Sequence, residues 1–224
     1  MIAGVDGYRR GWVAAIDRGD GTTLVEAFRS FADLLAREEL SVIVVDVPIG
    51  LLPRGPRLCD VQARRLLGRL RASSVFPAPL RAMLKARDWE EACRIRFAIE
   101  GQRCPKQVMG ILPKIREVDA LMTPDLQCRV LEGHPEVSFA LRSGRRPIAG
   151  RKATKEGRSE RLGLLAPHFP DLHRNLSTVP GALPDILDAY ACLWSARRIL
   201  GGDALRLPPD PQMDERGLRA EIVA

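Results

Sequence analysis

Apolar residues along this chain come first as continuous short runs and later at helical spacing, and the change marks its organisation. Ile2 to Val5 is apolar and ends in Asp6 Gly7; Trp12 to Ile16 is a second apolar run beyond a polar turn containing Gly11. Two such runs split by a glycine-containing turn predict a hairpin of buried strands. Asp17 to Gly21 predicts another turn, and Thr22 to Phe28 a third strand. Ser30 is a good N-cap, and Phe31, Leu34 and Leu35 recur at helical spacing, predicting a helix through Glu39. Val42 Ile43 Val44 Val45 Asp46 Val47 is the strongest strand signal, of the kind found in the middle of a sheet covered on both faces, and Pro48 stops it. The helix before it implies that this strand lies parallel within the sheet.

From about residue 53 to 122 the pattern is helical. Helices are predicted over 57–71, 80–84, 89–100 (with Gly101 as the C′ residue) and 113–122, around a rigid loop Ser73 to Pro79. The first is amphipathic, with Arg57, Arg64, Arg65, Arg69 and Arg71 set among its leucines. Leu126 to Leu131 returns to strand character, and an extended segment after it would put His134 and Glu136 on one face. Residues 144–161 are basic and lack an apolar period, which predicts a loop; 162–169 predicts a short helix. Pro184 opens a strong apolar helix to about Leu200, closed by Gly201 Gly202, and a short strand is predicted at 221–223. The expected architecture is one α/β domain over 1–224. It has a mixed sheet of a three-stranded antiparallel meander plus parallel strands, flanking helices, and a helical insertion at about 53–122.

Composition narrows this picture. A hydrophobic content of 46% supports a proper core, and no apolar stretch is long enough to span a bilayer. With no signal-peptide pattern at the start, the cytoplasm is the expected compartment and a membrane is not an expected partner. Five cysteines without a Cys-x-x-Cys pair argue against a zinc site and a disulfide framework. The net charge of +7, with arginine far outnumbering lysine, permits a nucleic-acid partner through phosphate contacts. A GC-rich genome would explain the arginines equally well. Arg151 and Lys152, in the basic stretch, are candidate phosphate contacts.

The candidate chemistry lies in the carboxylates. Asp6 and Asp46 each follow a strand, and ligands of open α/β sheets sit outside such strand ends. Asp185 and Asp188, three apart, project from one side of the first turn of the last helix. An Asp-Gly turn would account for Asp6, and ordinary N-terminal capping and dipole pairing for Asp185 and Asp188, although Asp188 is flanked by Ile186, Leu187, Ala189 and Ala191. Carboxylates brought together repel unless a divalent cation neutralises them, and oxygen-only ligands select Mg²⁺ or Mn²⁺. Two such ions about 4 Å apart can activate water and stabilise a leaving oxygen in phosphodiester cleavage. His134 is either a hydrogen-bonded structural residue beside Pro135 or part of the site, and Glu136 belongs to the same polar cluster.

The order Asp6, Asp46, Asp185/Asp188 resembles the ribonuclease H-like superfamily, in particular its RuvC-type branch, whose last helix carries an Asp-x-x-Asp-Ala pattern matched by Asp185 to Ala189. More closely, the chain resembles the family called domain of unknown function 429, predicted ribonuclease H-like nucleases. The matching pieces are Gly4 to Gly7, Gly11 Trp12, Asp46 to Gly50, Arg57 with Cys59 Asp60, Ser73 to Pro79, Pro113 to Ile115 with Glu117 to Asp119, and His134 to Phe139. The resemblance implies a metal-dependent nuclease in which Asp6, Asp46 and Asp188 bind Mg²⁺ or Mn²⁺ and Asp185 and Glu136 assist. It brings Lys114 and His134 as substrate contacts, and a homodimer as the assembly. One departure is that RuvC-type enzymes usually place Glu on the central strand, where this chain has Asp46. Two rival classes share the fold: a phosphotransferase of the actin and sugar-kinase group, and a catalytically silent module that binds nucleic acid or protein.

Overall fold

The computed structural model describes all of residues 1–224. Strands β1 (Ile2–Tyr8), β2 (Gly11–Asp17) and β3 (Thr23–Phe28) form the antiparallel meander, and β4 (Val42–Val45) and β5 (Val130–Glu132) add parallel to β1. The five-stranded sheet has the order β3-β2-β1-β4-β5. Helices cover both faces, which is why β1, β2 and β4 are apolar on both sides. Ala3, Val5, Ile43 and Val45 face α1 (Phe31–Leu35) and α4 (Gln107–Leu121); Ile2, Val42 and Val44 face α8 (Leu183–Gly201). Trp12 is wholly buried, edge-on to Phe31 at 5.0 Å between ring centroids.

Between β4 and β5 lie α2 (Leu58–Arg71), α3 (Trp89–Glu100) and α4. Leu80, Met83, Ala86, Ala92, Cys93, Cys104 and Val108 form a small cluster of their own, whereas Ile115 and Val118 of α4 join the sheet core. After β5 come α5 (Pro135–Arg142), α6 (Lys155–Leu165), α7 (Leu172–Asn175) and α8, then a second sheet of β6 (Arg206–Met213) and β7 (Arg219–Val223). No helix is long and apolar enough to cross a membrane.

Several local expectations need correction. The helix at Ser30 stops at Leu35, although its capping box is complete. Residues 126–128 form a single 3-10 turn, and the strand is only Val130–Glu132. His134 to Phe139 is not extended: Pro135 is the first residue of α5, a position that suits proline's fixed φ and missing N–H. Pro113 lies inside α4 rather than at its start. The basic stretch is a loop only to Ala153; Thr154 then caps α6, its side chain accepting from the Gly157 N–H. β6 was not foreseen, because its prolines disguise an edge strand.

A candidate metal centre at the sheet edge

Parallel pairing brings the site residues to one edge. Val5 pairs with Val45, and Val45 with Glu132, so β1, β4 and β5 end side by side. The Asp46 N–H donates to the Val5 carbonyl at 2.9 Å, and the Gly133 N–H to that of Val45 at 2.9 Å. Asp6, Asp46 and Gly133 therefore lie abreast at adjacent strand ends, and His134 follows directly. Side chains alternate along a strand, so counting by two from Ile2 through Gly4 puts Asp6 on the face that α8 covers; Val42, Val44 and Asp46 follow the same count.

Helix α8 supplies the third carboxylate by an unusually close approach. A Cβ on Gly4 would stand 1.9 Å from the Leu193 N and 2.1 Å from the Ala189 O. Only glycine lets the helix backbone rest on β1 here. That contact lies within a turn or so of Asp188 and brings its carboxylate to the end of β1.

Oxygens of Asp6, Asp46 and Asp188 lie within 4.8 Å of one another. Asp6 and Asp188 are buried, with 6% and 3% of their surface exposed. The Asp6 Oδ1 accepts from the Gly7 N–H at 2.7 Å, and the Asp188 Oδ2 from the Lys152 ammonium at 2.8 Å. Burial, with Asp46 and Asp188 adding to it, pushes the Asp6 carboxyl well above the usual range; Lys152 acts the other way. Asp46 is pushed up to about 6, chiefly by burial, against the pull of His134. Burial works against the Lys152 ammonium, but Asp188 and Asp6 hold it well above the usual lysine range. Three oxygen donors, short of positive charge and close enough to share one ion, fit a hard divalent cation. Burial and the same three carboxylates push the thiol of the enclosed Cys192 well up, which leaves it inert.

The triad opens into a cleft of about 850 Å³. Asp185 lines it but lies outside the triad, its carboxyl raised by burial and by Asp188 against Lys152. Glu136 also lines the cleft and adds to the negative field on Asp46. One of its oxygens accepts from Arg161, while Oε2 is buried without a partner. His134, the N-cap residue of α5, likewise keeps a buried Nδ1 without a partner. Lys114 borders the cleft but donates to the Gly11 carbonyl at 2.6 Å and lies over the Trp12 ring at 4.3 Å; burial lowers its ammonium, against Glu117 and Asp6. Arg151 is exposed at the rim, joined by Arg9 and Arg71, which the sequence did not single out for the site.

A second acidic cluster had no expected role, although Arg57 with Cys59 Asp60 carries part of the family resemblance. Asp60 and Glu132, with Cys59, also have atoms within 4.8 Å of one another. Here a cation is already present. Arg57, one of the arginines set among the leucines of the first predicted insertion helix, is only 4% exposed. Its Nη1 donates to the Glu132 Oε2 at 2.7 Å and the Ile49 carbonyl at 3.0 Å; its Nη2 donates to the Glu132 Oε1 at 2.7 Å and the Asp60 Oδ1 at 2.6 Å. The Nε reaches the Asp60 Oδ2 at 3.3 Å, so all five guanidinium donors have partners. Burial penalises both carboxylates; Arg57 nonetheless holds Asp60 below its usual range, while Glu132 is pushed up to about 7. Only Val130 and Leu131 stand between Arg129 and Glu132, so the sequence carries a much weaker strand-end signal here than at Asp46.

A family model described as "Protein of unknown function (DUF429)" matches residues 4–213. The match spans both clusters and all eight helices. No curated protein and no solved structure matched the chain.

Proposed function

The chain belongs to the DUF429 family, and within it we propose a ribonuclease H-like enzyme that hydrolyses phosphodiester bonds of nucleic acid with Mg²⁺ or Mn²⁺. The observation that carries this reading is the convergence of Asp6, Asp46 and Asp188 within 4.8 Å, at the mouth of a cleft with a basic rim. The sheet supports it as well: an antiparallel meander followed by parallel strands is the arrangement that fold class implies.

Asp6, Asp46 and Asp188 would hold the cation. When bound it supplies Lewis-acid activation of water and charge stabilisation at the leaving oxygen. The chain's own residues do the rest. Arg9 and Arg151 at the rim attract and orient the phosphate backbone. The buried, unpartnered Glu136 Oε2 stands ready to accept a proton or a water hydrogen in the cleft, and Arg161 fixes that side chain through its other oxygen. His134, the N-cap residue of α5, also lines the cleft, and its buried Nδ1 has no partner. Asp185 adds negative charge at the cleft wall.

The test is calorimetric titration with Mn²⁺ beside a cleavage assay on single-stranded and duplex substrates. The wild-type protein is expected to bind Mn²⁺ and cleave. Asp6→Asn is expected to lose both while keeping its circular dichroism spectrum. Cleavage by Asp6→Asn at the wild-type rate, or a wild-type chain that takes up no divalent cation, would rule the reading out.

A further inference from the structure

The Lys152 ammonium stands where an incoming cation would have to go. Resting on the metal reading above, we propose that Lys152 is a resident competitor. It satisfies the carboxylates in the cation-free protein and is displaced from Asp188 when a divalent ion enters.

The geometry around Lys152 is that of a placed group. Its Nζ lies 2.8 Å from the Asp188 Oδ2, one of the oxygens that would ligate an ion. The backbone just before it is gripped from two sides. Arg71 donates to the carbonyls of Ile148 (2.6 Å), Ala149 (2.9 Å) and Gly150, and Arg161 donates to that of Gly150 at 3.0 Å. The Glu160 carboxylate accepts from the Gly150 N–H at 3.0 Å. The loop also crosses α6 so tightly that a Cβ on Gly157 would stand 2.0 Å from the Arg151 O. Immediately after it, the Thr154 cap begins α6. Only residues 151–153 span the interval, so Lys152 is delivered to the cluster by a pinned strap.

The side chain itself is free to leave. It is 48% exposed, whereas that of Asp188 is 4% exposed. Rotation about its four-carbon stem takes the ammonium into the cleft or the solvent without opening the loop. The ammonium regains water as it leaves, and the buried Asp188 carboxylate left behind is what an entering ion neutralises. What the contact does accomplish is charge compensation: it offsets Asp6, Asp46 and Asp185 as well as pairing with Asp188. A single positive charge on several carboxylates is a partial substitute for a divalent ion, and the two contend for the same oxygen.

The experiment labels the folded wild-type chain with an amine-acetylating reagent, with and without saturating Mn²⁺, and reads Lys152 by peptide mass spectrometry. Lys85, at the end of a 3-10 turn away from the cluster, is the internal reference. Lys152 is expected to be protected without metal and acetylated about tenfold faster with it, while Lys85 stays constant. In parallel, Lys152→Met is expected to bind Mn²⁺ about tenfold more tightly by calorimetry. If Mn²⁺ binds and Lys152 labelling stays unchanged or falls, the lysine remains on Asp188 and the proposal fails while the metal reading stands. If neither protein takes up Mn²⁺, both fall together.

Discussion

The molecule holds two sets of acidic side chains, each with ligand atoms within 4.8 Å of one another, and they differ in the cation that faces them. Asp60 and Glu132 enclose Arg57, a guanidinium with every donor engaged and almost no exposure. Asp6, Asp46 and Asp188 share one ammonium on a half-exposed stem, and they open into a cleft. The first set is closed: its cation belongs to the chain and cannot leave without unfolding. The second is open, since its cation is flexible and monodentate. By spacing alone both are candidate metal sites; a fixed arginine fork fills the one, and only a loose lysine stem reaches into the other.

This contrast can be broken most forcefully at Arg57. Arg57→Met leaves two buried carboxylates without a partner and is expected to lower stability by about 3–5 kcal/mol in urea unfolding. A loss below about 1 kcal/mol would mean that the closed cluster is no more than a surface ion pair.

Next in size is a pH effect. Glu132 is pushed up to about 7 by burial, because one guanidinium cannot neutralise two carboxylates. A carboxyl whose folded pKa lies above its unfolded value of roughly 4.5 favours folding while it is protonated. That contribution is fully present below pH 4.5 or so and is lost as pH rises through about 7, on the order of 3 kcal/mol in all. Subtracting the stability profile of Glu132→Gln from that of wild type isolates it, and Mn²⁺ should leave the difference unchanged because Arg57 already fills this cluster. A difference that is flat from pH 4 to 8 refutes it.

The smallest effects sharpen the comparison through opposite signs. Asp60→Asn takes away a carboxylate that Arg57 holds below its usual range and that accepts two of its N–H groups, and is expected to cost about 2 kcal/mol. Asp6→Asn relieves repulsion in a cluster short of positive charge and is expected to raise metal-free stability by about 1 kcal/mol. Thermal unfolding of the two variants in chelator reads both signs; two losses of equal size would erase the distinction between closed and open clusters.

Much of the candidate site was legible in the sequence. Asp6 and Asp46 follow unbroken apolar runs, and in a sheet covered on both faces a carboxylate just past such a run falls at an edge. Asp188 was marked by the apolar residues around it in α8. Glu136 was also named, but in the structure its first partner is Arg161, 25 residues on, brought close by the packing of α5 against α6. Lys152 was named as a phosphate contact and is found on Asp188 instead. Nothing local in a basic stretch says which of its cations folds inward.

The sequence by itself determined the elements whose signal is local and repeated. These are the meander of β1 to β3, the central strand β4, and the long α8 with its acidic first turn, because continuous apolar runs and helical periodicity are set by near neighbours. Only the tertiary structure decided which charges meet. Arg57 and Glu132 are 75 residues apart, and Lys152 and Asp188 are 36 apart. A long-range pair depends on how closely helices approach the sheet, as α8 does at Gly4, and that distance is a property of the packed whole.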